Sequence, residues 1–198
     1  MYSIVIPFLS DNKTTSMCLD YLKKNSMYEH ELVLIENERD VYYAYNKGVF
    51  TSKYDTVVLM NDDMIVAKDW DKFIPECQPD TIYTGYVVEK QPGKMVDGPT
   101  CIECDCGDFE DFDYEKFQNF TNVHGSHVPD IKPDSLGWYM PVVVNQRTFV
   151  SYPNINKFPE HNDVMLFHHI LPFAGFKSVQ MKSYFYHFSG VARKRLYK

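Results

Sequence analysis

Long apolar runs are missing from this chain: within its 198 residues no stretch approaches the roughly 18 that a membrane-spanning helix requires. A basic head is missing from Met1-Tyr2-Ser3-Ile4-Val5-Ile6-Pro7, so the segment does not read as a secretory leader and a cytoplasmic location is expected. Positive charge is in short supply. Lys and Arg number 20 against 27 Asp and Glu, a formal net charge of -7, which argues against nucleic acid as the main partner. There is no internal repeat and no low-complexity tract, and 44% hydrophobic residues with 16% aromatics argue against disorder. Cys18, Cys77, Cys101, Cys104 and Cys106 are an odd set without an export signal, so reduced thiols are expected. Cys101-Ile102-Glu103-Cys104-Asp105-Cys106 has the turn spacing of a zinc knuckle but no evident fourth ligand, and a loop of free thiols is the simpler reading.

What is present is organised around Asp55-Thr56-Val57-Val58-Leu59-Met60-Asn61-Asp62-Asp63-Met64. Thr56 to Met60 is an uncharged, β-branched run of strand length, of the kind buried on both faces, and it stops at an Asn and two adjacent carboxylates. In open α/β sheets ligands gather outside the carboxyl ends of the strands, so acids placed there face a crevice. Adjacent carboxylates repel, and an oxygen-preferring divalent cation, Mg²⁺ or Mn²⁺, holds both ionised. A solvated acidic turn is the alternative that the pair alone leaves open.

The flanking pieces alternate. Ser3 to Phe8 is a first buried strand with Pro7 near its end, and Thr15 to Asn25 is a helix with Met17, Cys18, Tyr21 and Leu22 on one face. Glu31 to Ile35 is a second strand ending in polar Glu36-Asn37-Glu38, and Val41 to Phe50 is a second helix. Three strands alternating with two helices by Met60 predict an α/β fold with a parallel, Rossmann-like sheet and right-handed crossovers. Ile65 to Lys68 reads as extended, Asp69 to Ile74 as a short capped helix, and Thr81 to Val88 as a fourth strand. Gln91 to Asp134 is the least legible third. Its run from Glu103 to Glu115 has seven acids and no base, lacks the glycine and spacing of a calcium-binding loop, and reads as solvated surface. Gly137 to Val144 is a strand leading into a short helix over Asn145 to Phe149, and Val164 to Ile170 is a helix with Asn162 or Asp163 at its start. A strand near Ser178 to Met181 and the segment Tyr184 to Gly190 precede a basic tail.

In order and spacing, Ile4-Val5-Ile6-Pro7, the acid Glu36, Tyr45-Asn46-Lys47-Gly48, Asn61-Asp62-Asp63, the Asn162-Asp163 helix start and His187 resemble the family 2 glycosyltransferases of the nucleotide-sugar-binding GT-A fold, over most of the chain. The resemblance implies a mixed, mostly parallel Rossmann-like sheet flanked by helices, and donor-binding positions at Pro7, Glu36, Asn46, Lys47, Asn61, Asp62 and Trp138. Glu36 stands where the family has an aspartate on the nucleobase, typically uracil, and Asn46 and Lys47 match the segment lining the nucleotide pocket. Asn61-Asp62-Asp63 matches the Asp-x-Asp motif with Asn in first place, which puts Asp62 near the ribose or sugar and makes Asp63 the direct metal ligand. His187, in Tyr186-His187-Phe188-Ser189-Gly190, stands where relatives carry a metal- or phosphate-binding histidine; by itself it reads as a buried histidine between aromatics. Asp163 falls on the second position of the Glu-Asp motif, the implied general base, and is also a candidate helix cap. Trp138 and Tyr139 fall where the family presents a stacking surface, although an aromatic in a strand is as readily core.

The implied function is a metal-dependent, inverting glycosyltransferase with Mn²⁺ or Mg²⁺ as cofactor, a nucleotide-sugar donor, most simply a UDP-sugar, and a hydroxyl acceptor on a glycan or glycoconjugate. The chemistry has a physical basis: a departing nucleoside diphosphate needs its charge neutralised, and inversion needs a carboxylate base on the opposite face. A single domain over residues 1–198 is expected, with a nucleotide-binding half over 1–90 and an acceptor half over 135–190. Arg193, Lys194, Arg195 and Lys198 form a solvated end, or a contact to diphosphate, an anionic membrane surface or a partner domain. Two other readings compete. A sugar nucleotidyltransferase would carry a glycine-rich basic loop after the first strand, and Phe8-Leu9-Ser10-Asp11-Asn12 has no glycine; a catalytically silent nucleotide-sugar- or glycan-binding module stays open because Asn stands at 61 and 162.

Overall fold

The computed structural model describes residues 1–10, 13–38, 41–91, 101–133, 141–147 and 175–188. Trp138, Tyr139, the helix expected over Val164 to Ile170 with Asn162 and Asp163, and the basic tail lie outside the described residues. The elements are β1 (Tyr2–Phe8), α1 (Lys13–Asn25), β2 (His30–Glu36), α2 (Val41–Thr51), β3 (Thr56–Leu59), β4 (Met64–Val66), a 3-10 turn (Trp70–Phe73), β5 (Thr81–Glu89), β6 (Cys101–Glu103), α3 (Tyr114–Gly125), β7 (Ile131–Pro133), β8 (Val142–Asn145) and β9 (Lys177–His187). Among the described residues the strands join one mixed sheet in the order β2-β1-β3-β8-β5-β9-β4, with β6 paired to β5 and β7 to β9. Its two longest pairings, β1 with β2 and β5 with β9, are parallel, while β8 runs against both β3 and β5. The alternation of periods predicts the parallel pairing of β1 with β2 and β3, and the whole is the mixed α/β sheet with flanking helices that the resemblance implies.

The first half follows its hydrophobic periods closely. Tyr2 to Ile6 are buried in β1, which has neighbours on both sides. Val5 O accepts from Met60 N at 3.1 Å on the β3 side, and Pro7, two residues on, turns its missing N–H to that side beyond the last residue paired with β3. Helix α1 buries Thr14, Thr15, Cys18, Leu22 and Asn25, one face at helical spacing. On α2 the buried face is Ala44, Tyr45, Gly48 and Val49, and Gly48 is the point of closest approach: a Cβ there would stand 2.1 Å from Val5 Cγ1.

The second half departs from its sequence reading in four places. The run from Glu103 to Glu115 does expose its acids, but Phe109, Phe112 and Tyr114, interleaved with them, turn inward onto a core of Tyr86, Phe117, Tyr184, Tyr186 and Phe188. Asp113 then caps α3, accepting from Lys116 N at 2.9 Å. The two short terminal segments are one strand, β9, because Gln180 and Ser183, polar in sequence, are buried and Ser183 Oγ donates to Trp70 O at 2.6 Å. Asp69 does not cap the turn that follows it: it takes a left-handed φ of 56° and its side chain makes no cap bond. Asn145 belongs to β8, so the helix expected from Asn145 starts at Gln146 and passes out of the described residues after Arg147.

Candidate functional site

The site lies where the carboxyl ends of β1, β2 and β3 meet the end of β9. Asn37, at a left-handed φ of 56°, ties the first two ends together: its N–H donates to Phe8 O at 2.8 Å, and its Oδ1 accepts from Ser10 N at 3.1 Å and Ser10 Oγ at 3.2 Å. Glu36 precedes it, exposed, in register with Phe8 and one step beyond the pair Pro7–Ile35.

After β3 the chain turns through Met60-Asn61-Asp62-Asp63 into β4, and each polar side chain of the turn is held differently. Asn61 Oδ1 accepts from Tyr45 Oη at 2.7 Å, which ties the turn to α2. Asn46 and Lys47 follow Tyr45 on that helix, Asn46 half-buried and Lys47 exposed. Asp62 Oδ2 accepts from Thr15 Oγ1 of α1 at 2.7 Å and is buried. Behind them Cys18 has its thiol pushed well above its ordinary range by burial and then by the charges of Asp62 and Asp63.

Asp63 is the exception. It is 2% exposed, and among the described residues its Oδ1 has no hydrogen-bond donor. His187 Nε2 lies 3.5 Å away, near enough for an ion pair but outside hydrogen-bond geometry. The approach is fixed by the backbone, since β4 and β9 pair Met64 with His187 and Phe188 N donates to Asp63 O at 3.1 Å. On the ring's other side, His187 Nδ1 donates to Glu89 Oε1 at 2.6 Å. Burial lowers the affinity of His187 for its proton, but Asp63 and Glu89 outweigh burial and push the pKa up to about 10. His187 also lines a cleft of about 410 Å³ with Lys90, Gly107, Asp108, Phe109 and Phe188.

Among the described residues no group of three or more His, Cys, Asp or Glu side chains is placed to hold a metal ion. Two donors do converge, Asp63 Oδ1 and His187 Nε2, and an orphaned buried carboxylate oxygen facing an imidazole nitrogen fits a divalent cation that completes its shell with phosphate and water. The five cysteines are free thiols; Cys104 Sγ and Cys106 Sγ approach to 3.2 Å, and burial pushes Cys101 and Cys106 up to about 12.

Of the residues expected to act, the structure brings Asp63 to His187, seats Asn61 and Asp62 on the two helices, and places Glu36 and Pro7 at the neighbouring strand ends. Lys47 is exposed on α2, and Asp163 and Trp138 lie outside the described residues. The sequence reading missed Glu89, Tyr45 and Thr15. Glu89 carries the same signal as Asp62, an acid ending a buried strand, but its neighbour Lys90 makes the pair look like a solvated turn.

No protein-family model matches this chain, and no curated protein matches its sequence. Solved structures do match. One, described as GalNAc-T7 with UDP, GalNAc and Mn²⁺, aligns with a TM-score of 0.61 at 11% identity, over 94% of this chain and 43% of that one. This chain thus spans less than half the length of that neighbour. A likeness of that extent at that identity is a likeness of fold, and the chain has the GT-A fold.

Proposed function

We propose that this chain is a metal-dependent glycosyltransferase that moves a sugar from a nucleotide-sugar donor to a hydroxyl of a glycan or glycoconjugate. One observation carries the reading: a buried carboxylate oxygen, Asp63 Oδ1, has no donor among the described residues and faces His187 Nε2 at 3.5 Å, at the strand ends of a GT-A fold. The presence of UDP, GalNAc and Mn²⁺ in the GalNAc-T7 structure supports a UDP-sugar donor and Mn²⁺, with Mg²⁺ as the alternative ion. The bound ion supplies Lewis-acid neutralisation of the departing diphosphate.

The chain's own residues take these roles. Asp63 and His187 hold the ion. Glu36, exposed beside Pro7 at the ends of β2 and β1, offers a hydrogen-bond acceptor to the base. Asn46 and Lys47 flank the nucleotide from α2, while Asn61 and Asp62, fixed by Tyr45 and Thr15, form the floor beneath ribose and sugar. Asp163 is the general base of an inverting, family 2-like reaction and Trp138 the stacking surface; these assignments rest on the residue pattern alone. So do the cytoplasmic location and the contact of the basic tail with a membrane or partner domain.

The test is release of nucleoside diphosphate from UDP-, GDP- and dTDP-sugars, with Mn²⁺, with Mg²⁺ and with chelator, for the natural chain and for Asp63→Ala. Metal-dependent release lost in the variant is the expected result, and the anomeric configuration of the product decides inversion. Donor binding without turnover across a panel of acceptors would move the reading to a silent binding module.

A further inference from the structure

We infer that Glu89 is a positioning residue that fixes the tautomer and orientation of His187, so that Nε2 faces the cation beside Asp63. The inference rests on the metal-dependent reading above. Glu89 ends β5 and His187 ends β9, and because these parallel strands pair Val88 with Tyr186, the next step of the ladder sets the two side chains side by side. Glu89 Oε1 lies 2.6 Å from His187 Nδ1. A carboxylate only accepts, so Nδ1 carries the hydrogen and Nε2 is left as the nitrogen that a cation can use. That is the nitrogen 3.5 Å from the orphaned oxygen of Asp63. The backbone of Glu89 is itself fixed, since its carbonyl accepts from Cys104 N at 2.9 Å.

A purely structural role fits Glu89 poorly. The residue is 3% exposed, and among the described residues its second oxygen, Oε2, has no donor. Burying a carboxylate with one oxygen unsatisfied costs stability, and an acid retained for the fold alone would have both oxygens bonded. A carboxylate that orients a ligating histidine and raises its basicity needs only one.

The test is Mn²⁺ affinity of the full chain, read from the electron paramagnetic resonance signal of the free ion, for the natural protein, Glu89→Gln, Glu89→Asp, His187→Ala and the Glu89→Gln/His187→Ala double variant. We expect Glu89→Gln to weaken Mn²⁺ binding about 10- to 100-fold and Glu89→Asp to restore part of the loss. Added to His187→Ala, Glu89→Gln should cost nothing more, because the ring through which it acts is gone. In the Mg²⁺-loaded protein, a downfield Nδ1–H proton resonance of His187 should be present in the natural chain and in Glu89→Asp and absent in Glu89→Gln. Should Glu89→Gln fail to fold, the cycle runs on Glu89→Asp, with an expected loss of about 3- to 10-fold that again vanishes without His187. Natural affinity in the Glu89 variants, or an equal loss with and without His187, overturns the positioning role while leaving the metal reading intact. A natural chain that binds no Mn²⁺, alone or with UDP, GDP or dTDP, overturns both.

Discussion

Two buried aspartates on one stretch of chain, Asp63 and Asp71, are treated in opposite ways. Asp71, 1% exposed in the 3-10 turn, accepts from three donors: Tyr2 Oη at 2.8 Å and Tyr28 N at 2.9 Å on Oδ2, and Met27 N at 2.8 Å on Oδ1. It joins the start of β1, the turn after α1 and the 3-10 turn, and burial followed by the Asp71 bond and charge pushes Tyr2 far above its ordinary range. Asp63, equally buried, has beside a histidine an oxygen that no donor among the described residues reaches. The difference separates a carboxylate satisfied by the fold from one that is a candidate for a ligand: burial is the same, and hydrogen-bond satisfaction is not.

The largest effect that the comparison predicts is on the satisfied residue. Asp71→Ala strands two backbone N–H groups and a buried tyrosine hydroxyl and should lower unfolding stability by about 3–5 kcal/mol in urea denaturation. The folded fraction should still bind Mn²⁺. A loss below about 1 kcal/mol would mean that the three bonds are replaced by water and that satisfaction does not mark a structural acid.

Asp63→Asn should show the reverse pattern. Among the described residues no hydrogen bond is surrendered at Oδ1, and what is lost is one of the two charges that hold His187, so the loss of stability should stay below that of Asp71→Ala, at about 1–3 kcal/mol. Metal-dependent donor turnover should fall on the order of 100-fold or more. Thermal melts separate the two effects: Mn²⁺ should raise the melting temperature of the natural chain and leave that of Asp63→Asn where it was. A variant that is both strongly destabilised and still stabilised by Mn²⁺ would place Asp63 with Asp71.

The same contrast explains what the sequence made legible. The strands and helices up to Met60 stand within a residue or two of their expected bounds, because continuous β-branched runs and a 3.6-residue apolar face are strong, local signals. Helix α3 had no such face: its buried residues are Phe117, Thr121 and Gly125, of which only one is a large hydrophobe, and the acids before it disguise the aromatics. The acid pair after β3 stood out as a candidate site because two carboxylates adjoin in sequence. Glu89 reaches the same site through strand pairing between residues distant in the chain, which leaves no local trace.

Gly48 tests the seat on which the Asn61 side of the site rests. Helix α2 carries Tyr45 to Asn61 only because Gly48 lets it lie against Val5, and Gly48→Ala puts a methyl 2.1 Å from Val5 Cγ1. Overpacking of this kind should cost about 1–3 kcal/mol, and Gly48→Ala combined with Val5→Ala should lose less than the two single changes added together. Strict additivity would show that α2 shifts freely, leaving Tyr45 no fixed position from which to hold the turn.

The smallest effect belongs to a carboxylate between the two extremes. Glu31, largely shielded at the start of β2, is satisfied like Asp71 but lies at the rim: Oε2 accepts from Ser3 Oγ at 2.7 Å and Lys53 N at 2.8 Å, and Oε1 faces Lys53 Nζ at 3.5 Å. Burial raises its pKa, but the Lys53 N–H, the Ser3 hydroxyl and the Lys53 charge together outweigh burial and hold it below its ordinary 4.5. A carboxyl whose folded pKa is depressed contributes stability that is present above the unfolded value and is lost as pH falls through the folded one. Glu31→Gln should therefore cost about 1–2 kcal/mol at neutral pH, and the gap from the natural chain should close as pH falls below 4.5. Denaturant midpoints measured from pH 7 downward check the sign: a gap that widens in acid would mean that the charged form is the strained one, and that Glu31 belongs with Asp63 as an acid awaiting a partner.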